Sequence, residues 1–391
     1  MTFASDSARR EWQRLRASPW DLAMISWVPA LAVGLLWWIF SAGLPQQLPI
    51  GVLDQDHSVL SRQLVRFLQA TPGLQVAQRP LDAGEAEHSL RRGDVYAVVT
   101  IPRDFSQKLK HGQTAQVTLL HNAQFGMHSG LIQRDVRTVV GTLSAGIEMA
   151  ARKKRGESAL AVQVTMEPVR ASTLTLFNTT LNYEQFLAAA LIPALLHILA
   201  MTAGAWAVGR ELRDRSMAEW LPPTSGTLQA MAALLGKLVW PLLSLGSVGT
   251  FALLWLTHGR GWQPPGSLTW VLLALWVFMG LSLALGALAA ALTRSLRTAL
   301  STTGFVTAPA FAFSGVGFPL VAMPAAAQAW AYALPYTHYV RVQIEQLQMG
   351  APIRYSLSTV AGLGVATVLS LLASAWALQR AARVPATWGQ R

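Results

Sequence analysis

Residues 186–209 read FLAAALIPALLHILAMTAGAWAVG, an uncharged apolar run that stops just before Arg210. Its length matches the roughly 20 residues that a helix needs to cross a lipid bilayer. His197 falls near the middle of the run, where an imidazole is costly unless it hydrogen-bonds to a neighbouring helix or lines a wet cavity. The run therefore predicts a membrane-spanning helix, with His197 as either a packing residue or part of a polar pathway.

The composition of the whole chain is that of a membrane protein. Of its 391 residues, 52% are hydrophobic, only 13% are charged and fifteen are tryptophan. The net charge of +12 is spread over the ends of apolar runs, which is typical of membrane topology signals, so we expect a lipid bilayer and no nucleic acid as a partner. The chain has no cysteine, which excludes disulfides, thiolate metal sites and cysteine nucleophiles.

Five further apolar runs approach the same length. They are residues 22–40, 238–256, 270–292, 299–321 and 357–378. The first run ends in bulky side chains where a signal peptide would carry small residues, so we interpret it as an uncleaved span. Short segments on the N-terminal side of the membrane hold thirteen basic residues, against only Arg260, Arg341 and Arg354 on the other side. This asymmetry predicts that both termini are cytoplasmic.

These runs predict an α-helical membrane protein of six transmembrane helices with an inserted α/β extracytoplasmic domain. In chain order we expect a cytoplasmic interfacial helix (residues 1–20), the first span (21–42), the inserted domain (43–184), the other five spans (185–380) and a cytoplasmic tail (381–391). In the interfacial helix, Phe3, Ala8, Trp12 and Leu15 fall near one face. A solvated basic tail is the alternative interpretation of this segment.

Strand and helix patterns alternate in the inserted domain. The predicted strands are residues 48–53, 74–77, 95–101, 117–120 and 161–166, and the predicted helices are residues 59–70, 83–92, 105–111 and 130–154. Asp54, Asp56 and His57 follow the first strand, but a metal site needs more ligands than this loop supplies, so we expect Asp56 or Ser58 to cap the next helix. The domain has no GxSxG or HExxH motif, and nothing in it predicts catalysis.

A second informative stretch, residues 313–339, reads FSGVGFPLVAMPAAAQAWAYALPYTHY. Its prolines interrupt an apolar run, which predicts a broken, partly re-entrant helix pair that lines a cavity or packs against protein. On the fifth span, threonines and a serine form a weakly polar face that suits helix packing as well as substrate binding. The candidates for a substrate path or gate are His197, Thr303, Thr307, Ser314, Pro319, Met323 and Pro324.

The segment that follows residues 186–209 is dense in charges of both signs. It is too charged to lie in lipid, and it indicates either a positive-inside stop signal or a docking site for a cytoplasmic protein. Its candidate docking residues are Arg210, Glu211, Arg213, Asp214, Arg215, Glu219 and Trp220. No Asp or Glu lies in the middle of any predicted span, which argues against coupling to protons or sodium.

Several stretches together resemble the membrane subunit of ABC-2 type transporters, in the branch with a large external domain after the first span. They are LPIGVLDQDHSVLSRQLVRFL (48–68), AEHSLRRGDVYAVVTIPRDFSQKLKHG (86–112), FNTTLNYEQF (177–186), GRELRDRSMAEWL (209–221), FSGVGFPLVAMP (313–324) and LPYTHYVR (334–341). The resemblance covers nearly the whole chain. One departure is Thr179 after Asn178, where the family often has proline.

The resemblance implies a permease that forms a homodimer or a heterodimer with a related permease in a bacterial inner membrane and moves substrate outward by alternating access. It also implies cytoplasmic ABC ATPase subunits that dock on the charged segment and the N-terminal helix, and contact with a periplasmic adaptor. The chain lacks a GxxxxGK[ST] phosphate loop, so ATP and Mg²⁺ belong to the partner, and we expect no cofactor or catalysis in this chain. An ion-coupled secondary transporter and a membrane-anchored receptor or assembly factor are the alternatives.

Overall fold

The computed structural model describes residues 2–111, 113–122, 126–154, 177–178, 182–385 and 388–389. The chain divides into two units, one of Met1–Gly43 with Thr175–Arg391 and one of Leu44–Leu174. The strand predicted at residues 161–166 and the departure at residue 179 lie outside the described residues.

The first unit is helical throughout its regular elements. Its α-helices are α1 (Thr2–Ala17), α2 (Pro19–Ile25), α3 (Trp27–Phe40), α8 (Ala189–Arg213), α9 (Met217–Trp220), α10 (Thr227–Leu254), α11 (Leu268–Thr293), α12 (Leu296–Thr307), α13 (Ala325–Ala333), α14 (Pro335–Leu347) and α15 (Ile353–Ala382). Single π-helical turns, Glu184–Ala188 and Trp255–Gly259, precede α8 and follow α10. Such turns are frequent at functional sites.

Five helical segments in the described part of the chain are long and apolar enough to cross a membrane. They are Pro19–Phe40, Glu184–Arg213, Thr227–Gly259, Leu268–Thr293 and Ile353–Ala382. They match five of the six predicted spans, and the chain is a multi-pass membrane protein.

The predicted span at residues 299–321 does not form one continuous helix. Helix α12 ends at Thr307, and turns and bends follow through residue 318. Pro309 has no N–H to continue the helical hydrogen bonds, and Gly315 takes a left-handed conformation with φ of 88°. The break therefore comes earlier than the predicted break at Pro319, and the six-span count stays a prediction.

Two glycines set the closest helix pair of this unit. A Cβ atom on Gly204 of α8 would collide with the backbone carbonyl of Leu283, and one on Gly286 of α11 would collide with the backbone carbonyl of Met201. Small residues at such crossings let helix backbones approach and replace the hydrophobic driving force that lipid does not supply. Leu196, Phe278 and other buried apolar side chains surround this crossing, so the core of the unit centres on α8 and α11.

The second unit is built around a four-stranded sheet. Its elements are β1 (Leu48–Asp54), α4 (Val59–Ala70), β2 (Leu74–Gln78), α5 (Ala83–Arg92), β3 (Ala97–Ile101), α6 (Phe105–Lys110), β4 (Thr118–His121) and α7 (Gly126–Lys154). The strand order is β2-β1-β3-β4, with β1 parallel to β2 and β3, and β4 antiparallel to β3. The predicted alternation of strands and helices is confirmed for these elements.

Both faces of this sheet are covered. Ile50, Val52 and Val99 pack in one buried cluster with apolar residues of α4 and α7. Leu53 and Val98 belong to a second cluster with Ala86 of α5. Successive side chains of a strand point to opposite faces, so an apolar run such as β3 is what a strand covered on both sides requires.

The loop after β1 is a turn and helix cap, as predicted. The Ser58 side chain accepts a hydrogen bond from the Ser61 N–H and caps α4. Asp54 Oδ1 accepts from the N–H groups of Asp56 and His57, each at 3.1 Å. Within the part of the chain that the structure describes, no group of three or more His, Asp or Glu side chains is placed to hold a metal ion.

Candidate functional site

A buried group of charges joins α1 to the last turn of α8 and to α10. We call Glu11, Arg14, Arg210, Glu211 and Lys237 the charged cluster. The Lys237 side chain is 0% exposed, and its Nζ lies 2.9 Å from Glu11 and 2.6 Å from Glu211. The ammonium group also lies 4.6 Å from the ring centroid of Trp220. A buried ammonium is stable only with such partners, so Lys237 ties three segments together.

The two arginines of the charged cluster, Arg14 and Arg210, also pair with its carboxylates. Arg14 forms an ion pair with Glu211, and Arg210 Nη2 lies 3.5 Å from Glu11. Arg210 also pairs with Asp21 of α2. Glu11 thus faces two cations, and Glu211 faces three because Arg10 Nη2 also lies 3.4 Å from it. This arrangement offsets the desolvation of buried charge.

Uncharged contacts hold α1 along α10 as well. Ser7 Oγ donates to the Ala233 carbonyl at 2.6 Å and accepts from Trp220 Nε1 at 2.8 Å. Trp240 Nε1 donates to the Ala8 carbonyl at 2.9 Å, and its ring packs 4.7 Å from that of Trp12. Helix α1 therefore packs against protein.

The buried face of α1 differs from the predicted apolar face. The structure buries Ser7, Glu11 and Leu15, which follow each other at a spacing of one helical turn, whereas Trp12 is exposed. Of the predicted apolar face, Leu15 is buried and Trp12 packs on Trp240, but the most buried positions are otherwise polar because α1 faces buried polar groups on α8 and α10. A carboxylate on an otherwise basic helix, one turn after Ser7, was the one signal that pointed to this.

The predicted docking residues fall into two classes. Arg210, Glu211 and Trp220 are buried with the charged cluster, whereas Arg213, Asp214, Arg215 and Glu219 are exposed. Glu219 reaches back to α1, where its carboxylate lies 3.1 Å from Arg10 Nη2. The exposed residues are thus the ones that another protein can touch.

A cleft of about 660 Å³ opens beside the exposed residues. We call it the basic cleft; its lining is Arg213, Asp214, Arg215, Leu296, Arg297, Leu300 and Gly389. The Arg213 Nε donates to the Asp214 carboxylate at 2.8 Å, and this hydrogen bond lowers the pKa of Asp214. Asp214 is therefore ionised at neutral pH, and three arginines against one aspartate leave the cleft positive.

His197 lies in the packed centre of the first unit. It is completely buried between α8 and α11, and its Nδ1 lies 2.7 Å from Ser282 Oγ. Ser282 already donates its hydroxyl proton to the Phe278 carbonyl at 2.7 Å, so we assign the proton of the imidazole to Nδ1. The ring packs 5.1 Å from that of Phe278, which stacks on Tyr339 at 4.7 Å. Among the residues that the structure describes, none hydrogen-bonds to His197 Nε2.

The other predicted path residues lie on α12 and the segment after it. Thr307 Oγ1 donates to the Thr303 carbonyl at 2.8 Å, and Ser314 Oγ donates to the Phe311 carbonyl at 2.7 Å. These three side chains are buried, Met323 is nearly so, and Pro319 and Pro324 are exposed. The hydroxyls of Thr307 and Ser314 thus bond within their own turns, and the structure places His197 on a different helix pair.

A second ion pair, between the buried Glu184 and the exposed Arg260, was not predicted from the sequence. Glu184, in the π-helical turn before α8, accepts from Arg260 Nε at 3.0 Å and from Trp37 Nε1 at 2.7 Å. Arg260 Nη2 also donates to the Ser41 carbonyl at 3.0 Å. We call Trp37, Ser41, Glu184 and Arg260 the Glu184 clamp. The sequence offered one signal for this pair. Glu184 is an acid just before an apolar run, and Arg260 is one of the few basic residues predicted on the same side of the membrane.

The sequence was compared with known protein families and with curated proteins. A family model described as ABC-2 family transporter protein matches residues 19–376. A comparison with curated proteins gives no significant match. The matched range contains four of the five apolar helical segments and most of the fifth, together with the exposed docking candidates and the Glu184 clamp.

Proposed function

The chain belongs to the ABC-2 transporter family as a membrane permease subunit, and we propose that it moves its substrate outward across a bacterial inner membrane by alternating access. Membership implies association with a separate ABC ATPase subunit, which supplies the free energy. Outward movement is what the resemblance described above implies. The lack of mid-span carboxylates supports an ATP-driven rather than an ion-driven cycle.

The coupling proposal rests on one observation: the basic cleft lies next to the charged cluster. Arg213 and Asp214 of the cleft follow Arg210 and Glu211 of the cluster within one turn at the end of α8. Because Glu211 pairs with Lys237 of α10 and with Arg14 of α1, a force on the cleft acts on three helices at once. We propose that the ATPase docks at the basic cleft with an acidic surface, together with Glu219 and the exposed side of α1.

Both termini lie in the cytoplasm, as the asymmetry of basic residues supports, and the unit Leu44–Leu174 lies outside. Two permease chains, identical or related, enclose the substrate route, with His197, Thr303, Thr307 and Ser314 as candidates for its lining. The segment of residues 313–339, with Pro319, Met323 and Pro324, shapes the outer gate, and a periplasmic adaptor contacts the external unit.

Co-purification tests the docking site. The permease is purified in mild detergent from cells that carry its ATPase, and the ATPase is quantified by mass spectrometry for the wild type and for Arg213→Gln/Arg297→Gln. The matched control is Arg341→Gln/Arg354→Gln, which removes two exposed arginines from the opposite predicted side. We expect the cleft variant to lose most of the ATPase and the control to keep it. Equal retention in both variants would remove the basic cleft from docking.

Transport into inside-out vesicles tests direction. With ethidium and a fluorescent phospholipid as probes, ATP-dependent accumulation in inside-out vesicles marks export. A protonophore without effect on ATP-driven uptake supports the proposal. Uptake that follows an imposed ion gradient without ATP would favour the ion-coupled alternative instead.

A further inference from the structure

The unit Leu44–Leu174 contains a cleft of about 480 Å³ whose charges the proposed transport function does not use. Its polar lining includes Asp54, His57, Arg62, Arg66 and Arg79. A volume of this size falls within the range of small-molecule sites. We call it the arginine cleft, and we propose that it binds the phosphate group of a small organic anion.

The position of the cleft follows from the sheet. Strands β1 and β2 are parallel and neighbouring, so their carboxyl ends, at Asp54 and Gln78, reach the same edge. Arg79 comes directly after β2. In open α/β sheets, ligands bind outside the carboxyl ends of the strands, at the point where the strand order reverses, which in this sheet lies between β1 and β3. The arginine cleft lies at that edge.

Helix α4 supplies the other arginines in register. Arg62, Arg66 and Gln69 are spaced by four and three residues, which puts them on one face of the helix. Arg62 Nη1 donates to the His57 carbonyl at 2.7 Å, and this bond fixes Arg62 against the loop after β1. His57 itself takes a left-handed conformation, with φ of 50°.

The charge balance selects an anion. Asp54 is the only carboxylate among the lining residues, and its oxygens are engaged by the N–H groups of Asp56 and His57 and by Ser61 Oγ at 2.8 Å. Arg66 and Arg79 are exposed, and among the residues that the structure describes neither is paired with a carboxylate. Guanidinium groups form bidentate hydrogen bonds with phosphate oxygens, and a phosphate monoester carries enough negative charge to pair with more than one guanidinium.

One wall of the cleft is apolar. Val52, Val65, Pro80 and Leu81 complete its lining, and Leu81 is 89% exposed. The Leu81 N–H donates to Glu85 Oε2 at 2.7 Å, which holds this backbone in place beside the arginines. A phosphate with an apolar substituent fits such a wall. The two sources of that chemistry are a water-soluble phosphate ester and the headgroup of a phospholipid.

Binding is measured by calorimetry on the full-length protein in a phosphate-free detergent. The probes are inorganic phosphate, glycerol 3-phosphate and dihexanoylphosphatidate. Since hydrogen bonds to charged groups contribute strongly, we expect Arg66→Gln and Arg79→Gln each to weaken binding about tenfold or more. The matched control is Arg137→Gln on α7, an exposed arginine outside the cleft, which is expected to bind like the wild type.

The probes separate the two sources. Dihexanoylphosphatidate binding about tenfold tighter than glycerol 3-phosphate, with that advantage lost in Leu81→Ser, assigns the cleft to a lipid headgroup. Equal affinity for the two esters assigns it to a soluble ester. Absence of binding of all three probes overturns the proposal, as does an equal loss of affinity in Arg137→Gln. The outcome does not depend on the ATPase or on the direction of transport.

Discussion

Replacing Lys237 with methionine tests whether the charged cluster holds α1 in place. The variant keeps most of the side-chain volume but leaves Glu11 and Glu211 without their shared ammonium partner. Both carboxylates are almost completely buried, with side-chain exposures of 3% and 0%. Removing one partner of a buried ion pair costs about 3–5 kcal/mol, because the remaining charge is left uncompensated.

The structure places Lys237→Met at the lower end of that range. Glu11 keeps Arg210 at 3.5 Å, and Glu211 keeps Arg14, so neither carboxylate loses every cation. We therefore expect a loss of about 3 kcal/mol in the free energy of unfolding. The double variant Lys237→Met/Glu211→Gln removes both charges, while Glu11 still faces Arg210 and Arg14 still faces Asp214 at 3.6 Å. We expect it to recover most of the loss.

The assay is reversible unfolding of the detergent-solubilised protein, followed by tryptophan fluorescence, with trypsin cleavage in the arginine-rich α1 as a local probe. Lys108→Met is the matched control, since Lys108 belongs to an exposed ion pair with Asp104 and its loss is expected to leave the stability nearly unchanged. A Lys237→Met protein within about 1 kcal/mol of the wild type, with α1 equally protected, would refute the reasoning. So would a double variant as unstable as the single one.

Three further predictions concern the first unit. Gly286→Ala is expected to lower the free energy of unfolding by about 1–3 kcal/mol because its Cβ would meet the Met201 carbonyl, whereas Gly362→Ala, with open space around it, should be nearly neutral; equal stabilities would contradict this. Glu184→Gln keeps an acceptor for Trp37 but loses the charge facing the partly exposed Arg260, so thermal unfolding should show a loss of about 1 kcal/mol, and no change would mean that the clamp is not stabilising. We expect His197→Leu to reduce export at unchanged expression, and normal export would remove it from the route.

Local elements of this protein follow from local sequence. The strands of the second unit are apolar runs between turn residues. Ser58 caps α4 because its hydroxyl accepts a hydrogen bond from the Ser61 N–H, which has no partner within the helix. The five long apolar segments follow from length and hydropathy alone. The early end of α12 could also have been predicted, because Pro309 lies ten residues before Pro319, at which the break was expected.

Pairings between distant residues did not follow from the sequence. Glu211 was interpreted as an exposed docking residue because charge on a segment next to a span normally faces water. The structure buries it against Lys237, which is 26 residues away, and against Arg14 of the N-terminal helix. No periodicity within one segment encodes such a partner. A variant of Glu211 therefore disturbs the packing of α1 first, and the exposed Arg213 and Arg297 are the better probes of docking.

Helix α8 and its preceding π-helical turn carry a buried acid at each end, and the two acids differ in how firmly they are held. Glu211 sits in the charged cluster, whose central ammonium has no exposure, whereas Glu184 faces Arg260, which is 40% exposed. Opening an ion pair with a half-exposed partner costs about 1 kcal/mol, against several for a fully buried one. Pro193 interrupts the hydrogen bonds of α8 in the turns next to Glu184, which adds a point of flexure at that end. If the permease alternates as proposed, the ion pair at the Glu184 end of α8 opens and the helix bends there first. The end at Glu211 moves as one rigid body with α1 and α10.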